Sequence, residues 1–286
     1  MRFDYEGPKT IEEALSFLEK YKGKAKVIAG GTDLMTQIRD GNISPEFVVD
    51  IGEIEGLDYI HYDKSQGLTI GALTPISSLE KSRVLQQRLP ILSQAAGQLG
   101  SVAIRNVGTI GGNLCNAAPS AETAPSLIAL EGSARIVGPG GERNVPLEDF
   151  FTGPGTTTLA PGDLLVEIQV PLPAPNTKGV YLKHGQRGTI DLAMVGVAVV
   201  IAFEPDGLTC SNVKIALGAV APTPIRARSA EDVLKGKKLD ETLIDGSAKA
   251  AVRETRCVSD VRATAEYRRE MVEVFTRRAI RSLMDQ

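Results

Sequence analysis

Two short glycine-rich stretches carry the residue types best suited to holding an anion. In the first, Gly30-Gly31-Thr32-Asp33 follows a brief apolar run and precedes Leu34, Met35 and Ile38, which take up helical spacing. Glycines at such a junction let the backbone turn sharply and bring consecutive N–H groups toward one anion. A helix start just beyond adds partial positive charge. A diphosphate fits this chemistry. The spacing matches neither G-x-G-x-x-G nor G-x-x-x-x-G-K-[ST], so the common dinucleotide and P-loop assignments do not apply. A plain strand-to-helix turn capped by Thr32 or Asp33 is the competing reading.

The second stretch, Ile104 to Leu114, places Gly108, Gly111 and Gly112 beside Thr109 and Asn113. Together these supply N–H, O–H and NH2 donors with little bulk, which suits a cradled polar ligand in a glycine-rich loop over Thr109 to Cys115. Pro119 and Ser120 then start a helix whose first turn carries Glu122. Glu122 either complements the helix dipole or accepts a hydrogen bond from a ribityl or ribose hydroxyl.

The elements that must position these residues follow from periodicity. Thr10 reads as an N-cap with Glu13 three residues on, and Ile11, Ala14, Leu15 and Leu18 keep a helical period. Lys26 to Ala29 and Phe47 to Ile51 read as strands. Leu57 to Gly71 reads as two strands around a turn at Asp63 to Gln66. Helices are expected at Leu92 to Leu99 and Ala121 to Leu130, and strands at Ala134 to Val137 and Leu164 to Val170. Pro171, Pro173 and Pro175 mark a linker. Beyond it, Val180 to His184, Ala193 to Phe203 and Val213 to Val220 are strand candidates, the middle one suited to burial on both faces. Helices follow at Arg226 to Leu234, Leu239 to Val252 and Thr264 to Leu283. The expected division is residues 1–56, 57–175 and 176–286.

Bulk properties narrow the function classes. The 286 residues suit about two compact domains, and a net charge of −3 gives no electrostatic reason to expect nucleic acid. Arg268, Arg269, Arg277, Arg278 and Arg281 alternate with glutamates and read as a solvated helix face. No run approaches the roughly 18 apolar residues of a membrane span, and the opening Phe3-Asp4-Tyr5-Glu6 is no signal peptide, so a cytoplasmic protein without membrane insertion is expected. Cys115, Cys210 and Cys257 are widely spaced, and neither His61 nor His184 is near one in sequence. No metal site is expected in this chain, and Cys115 reads as a small packing residue.

Ala29 to Leu34 and Thr109 to Asn113, in this order and separation, resemble the two FAD-binding signatures of molybdenum hydroxylase flavoprotein subunits. That family includes the medium subunit of aerobic carbon monoxide dehydrogenase and the FAD portions of xanthine dehydrogenases. The resemblance extends to Phe3-Asp4-Tyr5, Gly71 to Thr74, Gly162 to Ile168, and Lys183, Arg187, Asp191 and Ala193. It implies an α+β chain: a two-subdomain FAD-binding fold of the vanillyl-alcohol-oxidase/PCMH type, then a C-terminal α+β domain with an antiparallel sheet and helices. It implies that Lys26, Val27, Ile28, Ala29, Gly30, Gly31, Thr32, Asp33 and Leu34 wrap the pyrophosphate, with Thr109, Gly111, Gly112 and Asn113 completing the pocket. It places Glu122 at the flavin's polar tail and Leu165 and Lys183 beside the isoalloxazine. An ammonium there would stabilise the negative charge of reduced flavin and raise its potential; a surface lysine on a strand is the alternative.

The same resemblance implies partners: a small subunit with [2Fe-2S] clusters and a large subunit with molybdopterin, as a dimer of heterotrimers, with NAD, a quinone or oxygen as the external electron acceptor. The cysteine-rich insertion of 4-hydroxybenzoyl-CoA reductase relatives is missing. A self-contained FAD-dependent oxidoreductase of the same superfamily is the other reading, but no acid or base marks a substrate site, and His184 should face away from Lys183 across a strand.

Overall fold

The computed structural model describes residues 2–188 and 190–285. The chain begins with β1 (Asp4–Glu6), α1 (Ile11–Lys20), β2 (Ala25–Ile28), α2 (Leu34–Arg39) and β3 (Phe47–Asp50). Its three strands form a parallel sheet in the order β1-β3-β2. Thr10 caps α1 by accepting the Glu13 N–H at 3.1 Å, and Glu13 returns to the Lys9 N–H at 2.7 Å. Ala14 and Leu18 of α1 bury against Val49 and Ile51, so the cap fixes which helix face meets the sheet.

A helix-rich second unit follows. It contains β4 (Ile60–Asp63), β5 (Gly67–Gly71), α3 (Ile76–Lys81), α4 (Arg83–Arg88), α5 (Pro90–Gly97), α6 (Val102–Val107), α7 (Ile110–Cys115) and α8 (Thr123–Ala129). It ends with β6 (Ser133–Gly138), β7 (Gly141–Pro146), α9 (Leu147–Phe150), β8 (Phe151–Gly153), β9 (Thr156–Thr157) and β10 (Leu164–Val170). Five strands make an antiparallel sheet, β4-β5-β10-β6-β7. Central β10 is buried on both faces: Leu165 and Ile168 enter the core under the helices, whereas Leu164 and Val166 pack with the first sheet's helix and strands. One strand thereby cements the first two units.

The third unit holds β11 (Thr177–His184), β12 (Val195–Phe203), β13 (Cys210–Gly218) and β14 (Ile225–Arg226) in sequential antiparallel order. They are covered by α10 (Arg228–Leu234), α11 (Glu241–Arg253) and α12 (Ala265–Met284). Every residue of β12 is buried, because α12 lies on one face and α8 on the other, in line with a sequence that carries no polar side chain. No helix among the described residues is long and apolar enough to cross a membrane.

Three sequence expectations need correction. Pro119 and Ser120 lie in a turn and do not start the helix: α8 begins at Thr123, with Glu122 at its N-cap position. Thr109 to Cys115 is not a loop: Ile110–Cys115 is helical, and Thr109 Oγ1 caps it by accepting the Gly112 N–H at 3.0 Å. Gly111 serves packing, since a Cβ there would lie 2.7 Å from the Ala72 carbonyl oxygen. Arg268 is also not part of a solvated face; only 3% of it is exposed. Glutamate neighbours in sequence did not reveal that this position of α12 turns toward the sheet.

Candidate functional site

The two glycine-rich segments meet. A Cβ on Gly30 would fall 2.0 Å from the Val107 carbonyl oxygen, far inside van der Waals contact, so only glycine lets the loop after β2 touch the end of α6. Gly31 takes φ +68°, the left-handed region open to glycine. Asp33 stands at the N-cap of α2 with a helical backbone and makes no side-chain cap hydrogen bond. Among the described residues, the N–H groups of Gly30, Gly31, Thr32 and Asp33 find no backbone acceptor. Four consecutive donors left open on a bend have the chemistry to receive an anion, and no side chain caps the helix start beyond them.

The strand before this loop contributes differently. Val27 packs into the first core while Lys26 is exposed on the opposite side of β2. Ile28 lies under the loop, 3.1 Å from a Cβ placed on Gly31. Ala29 packs against the first core, and Leu34 opens α2. Gln37 of α2 donates to Asn116 Oδ1 at 3.3 Å, a second tie between the segments.

On the other side, Ile110 N–H and Gly111 N–H donate to the carbonyls of Thr74 (3.0 Å) and Ala72 (2.9 Å), docking α7 on the end of β5. A Cβ on Gly112 would meet only Thr109 Oγ1, at 3.0 Å, so its outer side is open. Asn113 Oδ1 accepts from Thr123 Oγ1 at 2.5 Å, which fixes the amide orientation and leaves its NH2 group outward. That bond links α7 to α8.

Glu122 stands at the start of α8, 5% exposed, and receives the Lys183 ammonium at 2.9 Å. Lys183 Nζ also donates to the carbonyls of Asp191 (2.6 Å) and Gln98 (2.9 Å), and Asp191 Oδ1 is 3.9 Å away. The three ammonium protons are thus all engaged, and Lys183 is no surface lysine. Burial holds the Glu122 carboxyl above the usual carboxylate range, opposed by the pull of Lys183. His184, next along β11, faces the other way, with Nε2 3.0 Å from Tyr267 Oη on α12. Leu165 is buried in the second core, opposite Ile136. Cys115 packs against that core, and burial pushes its thiol up to about 12.

The contacts run without a break from Gly30 through Val107, Thr109, Asn113 and Thr123 to Glu122 and Lys183. Sequence reasoning missed Gln98 and Arg105. The Arg105 guanidinium, 8% exposed, donates to the carbonyls of Leu99 (3.0 Å) and Gly100 (3.3 Å) and pairs with Glu80 at 2.8 Å. It thereby holds the turn that presents Gln98 to Lys183. The signal was present: one arginine among the apolar residues Val102, Ala103, Ile104 and Val107.

Open backbone donors at one end and the buried Glu122–Lys183–Asp191 cluster at the other thus lie along one run of contacts drawn from all three units of the fold. Residues 1–173 match the model of the FAD binding domain in molybdopterin dehydrogenase, and residues 180–283 that of the CO dehydrogenase flavoprotein C-terminal domain. The chain is 35% identical over 279 residues to the carbon monoxide dehydrogenase medium chain of Hydrogenophaga pseudoflava, covering 98% of this chain and 96% of that one. It is 30% identical over 277 residues to the xanthine dehydrogenase FAD-binding subunit of Escherichia coli O157:H7, covering 96% and 94%. The solved carbon monoxide dehydrogenase of Hydrogenophaga pseudoflava lacking the Mo-pyranopterin moiety superposes with a TM-score of 0.94 at 36% identity, over 98% of this chain and 96% of that one. The chain belongs to the family of FAD-binding medium subunits of molybdenum-containing dehydrogenases, and is an oxidoreductase flavoprotein subunit.

Proposed function

We propose that this chain is an electron relay: FAD held across the cleft takes electrons from [2Fe-2S] clusters of a small partner subunit and passes them to an external acceptor, while a molybdopterin-bearing large subunit oxidises the substrate. The observation that carries this reading is the row of four open N–H groups from Gly30 to Asp33, facing a second glycine segment with the open side of Gly112. Such donors match the doubly charged pyrophosphate of FAD, and a glycine with no Cβ allows its close approach.

The residues divide the work. Gly30, Gly31, Thr32 and Asp33 would hold the pyrophosphate through backbone donors, and Asn113 would add its NH2 group. Glu122 would accept from a hydroxyl of the flavin's tail with the carboxylate lone pairs Lys183 leaves free. Leu165 and Lys183 would bound the ring end, where a fixed ammonium stabilises negative charge and excludes a second cation. FAD, when bound, would supply a carrier that can take up electrons one at a time from such clusters and release them singly or as a pair. The name medium chain, borne by the Hydrogenophaga relative, supports assembly with a small and a large subunit, here as a cytoplasmic dimer of heterotrimers.

Absorbance of the purified full chain after FAD reconstitution tests the site. Stoichiometric flavin bands that vanish in Gly112→Asp are the expected result; no flavin in the unaltered chain, or undiminished flavin in the variant, would refute the placement. Co-purification with iron- and molybdenum-bearing chains tests the relay role, and recovery as a sole, substrate-turning flavoprotein would replace it with a self-contained oxidoreductase.

A further inference from the structure

Arg268 is a buried guanidinium of the third unit, and its partners lie at two informative places. Nη1 donates to the carbonyls of Met194 (2.6 Å) and Ala219 (3.2 Å), and Nη2 to Asp260 Oδ1 (2.9 Å). Met194 comes just after Asp191, and its own N–H closes on the carbonyl of His184 at 2.8 Å, beside Lys183. Ala219 has φ 64°, a left-handed backbone that a non-glycine residue adopts only under strain. Its N–H donates to the Pro119 carbonyl at 2.7 Å, at the turn that leads into Glu122. A Cβ on neighbouring Gly218 would lie 2.8 Å from Pro125, so the end of β13 is pressed against α8.

One planar fork therefore spans the two segments that bring Asp191 and Glu122 to the Lys183 ammonium. The arrangement is a poor way to gain stability alone. Buried charges are costly to desolvate and apolar replacements often do as well, and Arg268 Nε has no hydrogen-bond partner among the described residues. What a guanidinium supplies, and an apolar side chain or a point-charge ammonium does not, is fixed geometry toward several acceptors at once.

We propose that Arg268 is a positioning residue for the flavin site: by holding the carbonyls of Met194 and Ala219 together, it sets where Asp191 and Glu122 stand about the Lys183 ammonium. This role acts at a distance, through two backbone segments, and presupposes that the cleft holds FAD as proposed above.

The test uses the full chain with Arg268→Lys, and Asp260→Asn as a milder variant that keeps the guanidinium but weakens its anchor. Backbone hydrogen exchange is followed by mass spectrometry with and without FAD, and the midpoint potential of bound flavin is measured. The expected result is a severalfold rise in exchange at residues 117–122 and 190–194 together, with the β12 interior unchanged, and a lower flavin potential because the ammonium is no longer held. Exchange that rises in only one segment or uniformly, or an unchanged potential with flavin bound, would overturn the proposal. Should Arg268→Lys fail to fold, the same paired pattern in Asp260→Asn decides the matter. An unaltered chain that takes up no FAD would instead defeat the flavin reading, while the exchange result still decides whether Arg268 places the two carboxylates.

Discussion

At the loop end of the candidate site the polar groups are the backbone N–H groups of Gly30 to Asp33, whereas at the far end they are the side chains of Glu122, Lys183 and Asp191. Backbone donors need no desolvated charge and do not titrate, but they demand glycine where chain segments touch. Buried side chains offer a strong local field at the cost of desolvation. They respond to pH, and they depend on scaffolding as remote as Arg105 and Arg268. The first kind of site is secured by what is left out of the side chains, the second by a network that must stay complete.

The network end should therefore show the larger damage on truncation. Lys183→Met leaves Glu122 and Asp191 buried without their shared cation and should cost about 3–5 kcal/mol in denaturant unfolding. Glu122→Gln in the same chain should recover part of that loss, because one uncompensated carboxylate is removed. Additive losses in the double variant would mean the three groups do not form one unit. The sequence alone suggested only a change of flavin potential for Lys183→Met; its saturated hydrogen bonding adds the stability effect.

At the loop end, Gly30→Ala places a methyl group onto the Val107 carbonyl and should cost about 1–3 kcal/mol, with flavin lost as the segments part. Gly112→Asp should behave oppositely. Its Cβ meets only Thr109 Oγ1, so unfolding should change by about 1 kcal/mol or less, while the introduced carboxylate repels the pyrophosphate and flavin absorbance disappears. Retained flavin in Gly30→Ala with normal stability would show that the two segments need not touch.

Much of this was legible in the sequence where local chemistry decides. The Thr10 cap, the fully apolar β12 and the strand-glycine-helix junction at Gly30 each follow from short-range patterns. The second glycine segment was misread because glycine signals two things: a free backbone, as at Gly31, and close packing, as at Gly111 against Ala72. Only the tertiary neighbour distinguishes them. The same holds for Arg268 and Arg105, whose acceptors are backbone carbonyls that carry no residue-type signature. The ion cluster was out of reach for that reason too, since Gln98 takes part through its main chain.

The smallest expected effect separates the two ends by pH. Burial raises the Glu122 carboxyl above its ordinary value despite Lys183, so the folded chain binds that proton more tightly than the unfolded one. Stability from this group is then fully present below the ordinary glutamate range. It declines as pH rises through that range toward the folded value, by at most about 1.4 kcal/mol per pH unit for one proton. Asp163 and Glu167, both held low in the fold, act with the opposite sign and at lower pH, losing their contribution as pH falls. The informative quantity is accordingly the difference between the unaltered chain and Glu122→Gln in urea unfolding from pH 4 to 8: the variant should lack the decline and be relatively favoured toward neutral pH. Gly112→Asp adds its carboxylate at the open end, where water keeps it near its ordinary value, and should leave the decline in place. A parallel pH profile for the unaltered chain and Glu122→Gln would show that Lys183 compensates Glu122 fully, and that the charged end is as indifferent to protons as the row of backbone donors.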